Sequence, residues 1–158
     1  MPLSSSRAPN PSSEVIGFPG AKQPPRLRVL VSDDHPVNRV VIVMLLSEFG
    51  AQVEITENGL EACEAFEAGA FDLVMLDMQM PVMDGLAAAR RIREFERQQQ
   101  KARTPVVIVT ANALPQHRLA GLAAGADGFL TKPLELDELE AVLNRFQDEV
   151  QRSSSPQG

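Results

Sequence analysis

The chain has 158 residues, 44% hydrophobic and 23% charged, which fits one soluble globular domain rather than a disordered or membrane-spanning chain. Fifteen Lys and Arg against 21 Asp and Glu give a formal net charge of −6, and a single cysteine, Cys63, excludes a disulfide-stapled secreted domain. The longest apolar run, Val40 to Leu46, is far short of the ~20 residues that a membrane span needs.

The charge is unevenly divided. Residues 1–26 carry Arg7, Lys22 and Arg26 against Glu14, a net +2, and Arg152 gives residues 151–158 a further +1, so residues 27–150 hold −9. An acidic body repels phosphates, and no nucleic acid is expected as a partner. Residues 1–26 also hold six of the twelve prolines and five serines without any apolar periodicity. Too little apolar surface is available there to offset ordering entropy, so the segment is expected to be a flexible linker. It lacks the apolar core of a signal peptide. Residues 151–158, QRSSSPQG, read as a disordered tail, which leaves a domain over 27–150.

Within that domain the elements alternate. Residues 27–31, LRVLV, form a short β-branched run typical of a strand buried on both faces. Val37, Val40, Val41, Met44 and Leu45 then recur at helical spacing, opened by Pro36 and stopped by Gly50, which predicts an amphipathic helix with that face inward. QVEIT at 52–56 alternates as an edge strand does. Asn58 caps a helix with Leu60, Cys63 and Phe66 inward, ending at Gly69. A third strand is predicted at 72–76. The helix after it runs from Gly85 to Arg97, with Leu86, Ala89, Ile92 and Phe95 inward. A fourth strand covers 105–109, a weaker helix Leu114 to Ala124, and a short fifth strand 128–131. The last helix carries Leu136, Leu139, Val142, Leu143, Phe146 and Val150. Five strands alternating with five helices predict a three-layer α/β fold with a parallel sheet.

Ligands of such sheets sit beyond the carboxyl ends of the strands. There the sequence places Ser32-Asp33-Asp34, Asp77, Thr110 and Thr131-Lys132-Pro133. Each alone has an ordinary explanation: an Asp pair as a turn with a helix cap, Lys-Pro as a loop. Their joint position at four strand ends points to one crevice of three carboxylates, a hydroxyl and an ammonium. Three acids held together repel, and hard oxygen donors suit Mg²⁺ or Mn²⁺. No zinc set, phosphate loop, GxGxxG turn or GxSxG elbow is present. A metal-bound aspartate beside a lysine is suited to accepting a phosphoryl group. Asp77, alone at the central strand end, is the expected acceptor, with Asp33 and Asp34 as a metal clamp and Lys132 neutralising the phosphoryl oxygens.

The segments VLVSDDHPVNR, DLVMLDMQMPVMDG, VVIVTANA and GADGFLTKPL resemble the receiver domain of two-component response regulators over nearly all of 27–150. The resemblance implies a flavodoxin-like doubly wound sheet of order 2-1-3-4-5. It implies phosphorylation of Asp77 from phosphohistidine, with Mg²⁺ held by Asp34, Asp77 and the main-chain carbonyl of Gln79 and reached by Asp33 through water. Lys132 would contact the phosphoryl group, Thr110 would turn its hydroxyl onto it, and Phe129 would turn inward. Many relatives carry Tyr at the Phe129 position, and Phe has no hydroxyl to donate, which weakens coupling to the surface. Gln79 and Asn112 match positions that tune dephosphorylation, and the Lys132–Pro133 peptide is expected to be cis.

The HPVNR, DMQMPVMDG and TANA segments and the Pro/Ser-rich leader suit the receiver of a hybrid sensor histidine kinase. Its partners would be kinase domains or a histidine phosphotransfer protein, met through the first helix. The fourth helix, fifth strand and fifth helix would form the switch surface. A stand-alone receiver acting by protein contact is the alternative, with no output domain after residue 150. An aspartate-based phosphohydrolase is a further one, though its DxDx[TV] pattern is replaced by SDDHP on the first strand. No separate catalysis beyond self-phosphorylation and autodephosphorylation is expected, and neither is membrane contact by this chain. The expected setting is cytoplasmic, with a monomer before phosphorylation.

His35 reads as a loop residue and His117 as an exposed helix residue. Arg90, Arg91, Arg93, Arg97, Lys101 and Arg103 read as a solvated face partly paired with Glu94 and Glu96. Met78, Met80 and Met83 read as adaptable packing around the acceptor loop.

Overall fold

A computed structural model describes the backbone of residues 27–154 and the side chains up to Phe146. The linker expected over 1–26 and the last residues of the expected tail lie outside the described residues. The elements are β1 (Arg28–Ser32), α1 (Pro36–Ser47), β2 (Gln52–Thr56), α2 (Gly59–Ala68), β3 (Leu73–Asp77), α3 (Gly85–Gln99), β4 (Val106–Thr110), α4 (Pro115–Ala124), β5 (Gly128–Thr131) and α5 (Leu136–Ser154). The five strands form one sheet in the order β2-β1-β3-β4-β5, every neighbouring pair parallel, as expected.

Strand periodicity divides the core into two halves. Leu30, Val74, Leu76, Val106 and Ile108 point to the face covered by Ala62, Cys63 and Phe66 of α2, Ala88, Ala89 and Ile92 of α3, and Ala124 of α4. Val29, Val31, Leu73, Met75, Val107 and Val109 point to the other face, covered by Ile42 and Leu46 of α1 and Leu139, Leu143 and Phe146 of α5. All five residues of both β3 and β4 are buried, so these central strands read as unbroken apolar runs ending in Asp77 and Thr110. On β2 burial alternates, as suits an edge.

Three strands end one residue later than the sequence predicts. Ser32, Asp77 and Thr110 are therefore the last residues of β1, β3 and β4 rather than loop residues after them. A polar side chain does not interrupt a parallel ladder whose backbone groups still pair. Helix α5 also extends to Ser154, four residues past the boundary drawn at 150. Once a helix is nucleated each further residue adds a hydrogen bond, and the next proline is Pro156.

The rotation of α1 differs from prediction. Val37, Val40, Val41 and Met44 are 62%, 59%, 41% and 63% exposed, while Ile42 and Leu46 are buried. Residues 40–46 are all apolar, so two helical stripes compete for the inward position. The polar end decides. Asn38 Nδ2 lies 3.5 Å from Asp33 Oδ1 and Arg39 Nη1 donates to the Asp33 carbonyl at 2.8 Å, which turns the 38/39–42–46 stripe toward the sheet.

Close approach marks several glycines, two of which bear on the strand ends. A Cβ at Gly85 would stand 2.3 Å from the Asp77 carbonyl oxygen, so α3 starts directly against the end of β3. A Cβ at Gly121 would stand 2.3 Å from Cζ of Phe129, so the ring of Phe129 lies on bare α4 backbone. Asp84, which periodicity alone did not reveal, caps α3 by accepting from the Ala87 N–H at 2.8 Å.

Candidate functional site

The register brings the four strand ends level: Ser32 pairs with Leu76, Asp77 with Val109, and Thr110 with Thr131. At this end Asp33, Asp77 and Thr110 are buried and Asp34 is exposed at the rim. Lys132 Nζ lies 3.0 Å from Asp77 Oδ2 and 3.1 Å from Asp33 Oδ2. The Asp77 contact is a hydrogen bond, and Asp33 Oδ2, buried without any other polar partner, shares the same ammonium as an ion pair.

The other oxygens are directed by backbone. Asp33 Oδ1 accepts from the His35 N–H at 2.9 Å, and Asp77 Oδ1 from the Gln79 N–H at 3.3 Å. The Ser32 hydroxyl lies 2.8 Å from the Asn58 carbonyl and 3.2 Å from Met80 Sδ, which gives Met80 a contact beyond packing. Thr110 Oγ1 donates to the Asn112 carbonyl and accepts from the Asn112 N–H, each at 3.1 Å. Phe129 is half-buried against the α2–α3–α4 half of the core. The Lys132–Pro133 peptide is cis.

Burial is the largest influence on Asp77 and raises its pKa above 3.8, with the Asp33 charge adding to it; the Lys132 hydrogen bond and charge oppose without cancelling it. Burial also works against the Lys132 ammonium, but Asp77 and Asp33 outweigh it and hold its pKa above that of an ordinary lysine. The crevice thus holds more negative charge than one lysine neutralises. Asp33, Asp34 and Asp77 each offer a carboxylate oxygen, all within 4.8 Å of one another. All-oxygen donors, one of them buried with only the ammonium beside it, fit a hard divalent cation.

Two readings of outlying residues change. His117 is half-buried and its Nδ1 lies 2.7 Å from the Asn112 carbonyl oxygen. Arg93, with a side chain 11% exposed, is not on a solvated face: it binds Glu96 at 2.8 Å, Asp127 at 2.6 Å, and the carbonyls of Gly125 and Thr104. Arg103 joins Asp127 at 2.8 Å, and Arg97 pairs with Glu94 in the open. A cleft of about 710 Å³ lies beside them, lined by Arg90, Arg97, Lys101 and Arg103 among others. It sits at the C-terminal ends of α3 and α4, so its cations complement the negative ends of the helix dipoles and acids already present. Cys63 is fully buried in the core, and burial pushes its thiol up to about 11.

The sequence profile of the response regulator receiver domain matches residues 29–144. The chain belongs to this family. The receiver is 36% identical over 155 residues to the sensor protein GacS of Pseudomonas syringae pv. syringae, which covers 98% of this chain but only 17% of that protein. A solved receiver domain of a sensor histidine kinase from Pseudomonas aeruginosa, with magnesium coordinated in its active-site cleft, is 34% identical with a TM-score of 0.70, covering 77% of this chain and 98% of that one. A receiver domain from Saccharomyces cerevisiae, crystallised with a histidine phosphotransfer signaling protein, is 28% identical with a TM-score of 0.74, covering 79% and 91% of the two chains. Among the described residues of this receiver no helix is long and apolar enough to cross a membrane.

Proposed function

We propose that Asp77 accepts a phosphoryl group from a phosphohistidine, and that the receiver is the relay module of a hybrid sensor histidine kinase. The arrangement of Asp77 against Lys132, with Asp33 and Asp34 around it, carries this reading. In the transfer the phosphorus–nitrogen bond of phosphohistidine breaks as a phosphorus–oxygen bond to the Asp77 carboxylate forms, and the imidazole leaves with its electron pair to take up a proton. Lys132 holds Asp77 from one side and can follow the charge onto the phosphoryl oxygens. Asp33, Asp34 and Asp77 would hold Mg²⁺, with the Gln79 carbonyl beside them, and the cation would neutralise charge at the acceptor. Thr110 must give up its bonds to Asn112 to reach the product. Gln79 and Asn112, both exposed, would tune hydrolysis, which together with self-phosphorylation would be the chemistry of the receiver by itself.

The exposed stripe Val37, Val40, Val41 and Met44 beside this crevice is the docking surface we assign to a histidine phosphotransfer protein. A groove of about 120 Å³ formed by Asn38, Val41, Ile42, Lys132, Pro133 and Leu134 continues it to the acceptor. The receiver–phosphotransfer complex of yeast and the likeness to GacS support this partner and the hybrid setting. The setting we assign is the cytoplasmic side of the membrane, where ATP supplies histidine kinases.

Acetyl phosphate with Mg²⁺ is expected to add one phosphoryl group to the chain by intact mass, and Asp77→Asn to abolish the gain. An unchanged parent mass overturns the acceptor role.

A further inference from the structure

We propose that His117 is the positioning residue through which a movement of Thr110 reaches α4; the proposal rests on Asp77 being the phosphoacceptor. One carbonyl oxygen joins the two side chains. The Asn112 carbonyl accepts from the Thr110 hydroxyl at 3.1 Å and from His117 Nδ1 at 2.7 Å. A carbonyl can only accept, so the imidazole proton facing it is on Nδ1, and its two lone pairs accommodate both donors at once.

His117 stands in the first turn of α4. That turn has no side-chain cap from Leu114, and among the described residues no other side-chain hydrogen bond ties it to the β4–α4 loop. When the Thr110 hydroxyl turns to a phosphoryl group, the Asn112 N–H loses its acceptor and the Asn112 carbonyl keeps His117 alone. The loop must reseat while still tethered to α4, so the helix follows it. The same helix seats the Phe129 ring: Gly121, one turn past His117, leaves room for it, and the guanidinium carbon of the adjacent Arg118 lies 5.4 Å from the ring centroid. A shift of α4 therefore moves the seat of Phe129. Phe129 has no hydroxyl with which to bind the loop itself, so the polar connection from strand end to surface runs through His117.

The test uses the full chain with Mg²⁺ and acetyl phosphate, comparing the parent with His117→Ala and His117→Gln. Intact mass reports phosphorylation, and amide chemical shifts over residues 116–124 report α4. All three proteins are expected to reach phosphorylated fractions within twofold of each other. The α4 response should fall below half of the parent value in His117→Ala and return in His117→Gln, whose side-chain amide can donate to the same carbonyl. If His117→Ala unfolds α4, His117→Leu, of similar volume and without a donor, makes the same comparison. A full α4 response without the donor, or a glutamine no better than alanine, overturns the link while the mass gain upholds the acceptor. Lost mass gain in both variants would place His117 in the acceptor chemistry and overturn a positioning role. No mass gain in the parent overturns the acceptor reading, and this one with it.

Discussion

Asp77 is a carboxylate held against its own ionisation. Its raised pKa means that the folded protein binds its proton more readily than the unfolded chain, so at neutral pH the charged group costs stability when no cation is bound. Asp77→Asn removes that charge. In EDTA at pH 7 the variant is expected to unfold at a higher urea concentration than the parent. The difference should vanish as pH falls below the unfolded value of 3.8, where the carboxyl is protonated in both states. A variant less stable than the parent at pH 7 contradicts this. Val82 shows a second local cost: it is 75% exposed and sits at φ 69°, a left-handed conformation that a β-branched residue resists. Val82→Asn tolerates that backbone and should add about 1 kcal/mol in urea unfolding. Asp77, Lys132 and Thr110 were legible because each stands at the end of a recognisable strand or just past it. The bond between His117 and Asn112 was not, because its acceptor is a main-chain carbonyl that no residue type announces.

At the scale of elements, the two outcomes for α1 and α3 share a cause: periodicity shows which residues could face inward, and polar neighbours choose among them. For α1 the chosen stripe ends in Ile42 and Leu46. Ile42→Ala should therefore cost about 3 kcal/mol, as buried aliphatic truncations do. Val40→Glu should cost less than about 0.5 kcal/mol, as an exposed substitution does. The same Val40→Glu should slow phosphoryl transfer from a phosphotransfer protein without slowing that from acetyl phosphate, which needs no docking helix. In α3 the arginines looked alike in sequence and differ in burial. Glu96→Ala leaves Arg93 short of one partner and the Thr104 N–H without its 2.7 Å acceptor, so about 2 kcal/mol should be lost. Arg97→Ala breaks a pair whose side chains are 69% and 49% exposed and should change stability by less than about 0.5 kcal/mol. Chemical denaturation of both variants distinguishes the cases. Burial of Arg93 was hidden because Asp127, its partner, lies far along the chain in the loop between α4 and β5.

For the whole molecule, only a small part of the acid gathers at one place. Glu61, Glu64, Glu94, Asp137, Glu138 and Glu140 are exposed on helices, while Asp33, Asp34 and Asp77 meet at one end of the sheet. Binding of a divalent cation to the folded state alone stabilises by mass action, about 1.4 kcal/mol at ten times the dissociation constant. Mg²⁺ should thus raise the melting temperature, Asp34→Ala should remove most of the rise, and Na⁺ at equal ionic strength should not reproduce it. Layer class and element order were legible because apolar runs and helical spacing repeat with regularity along the chain. Strand ends shifted by one residue, because a buried polar group at a strand end pairs its backbone as an apolar one does.

Asp33 and Lys132, at opposite ends of the sheet's sequence, stand 3.1 Å apart, and this has a consequence for biosynthesis. Asp77 needs β5, the last strand of this sheet to leave the ribosome, before Lys132 can arrive. Parallel pairing of distant segments also makes such contacts slow to form. A nascent chain that has completed β1, β2 and β3 therefore displays its aspartates without a functioning crevice. Phosphorylation competence should appear in a single late step of synthesis, so that a partly made receiver cannot draw phosphoryl groups out of the relay.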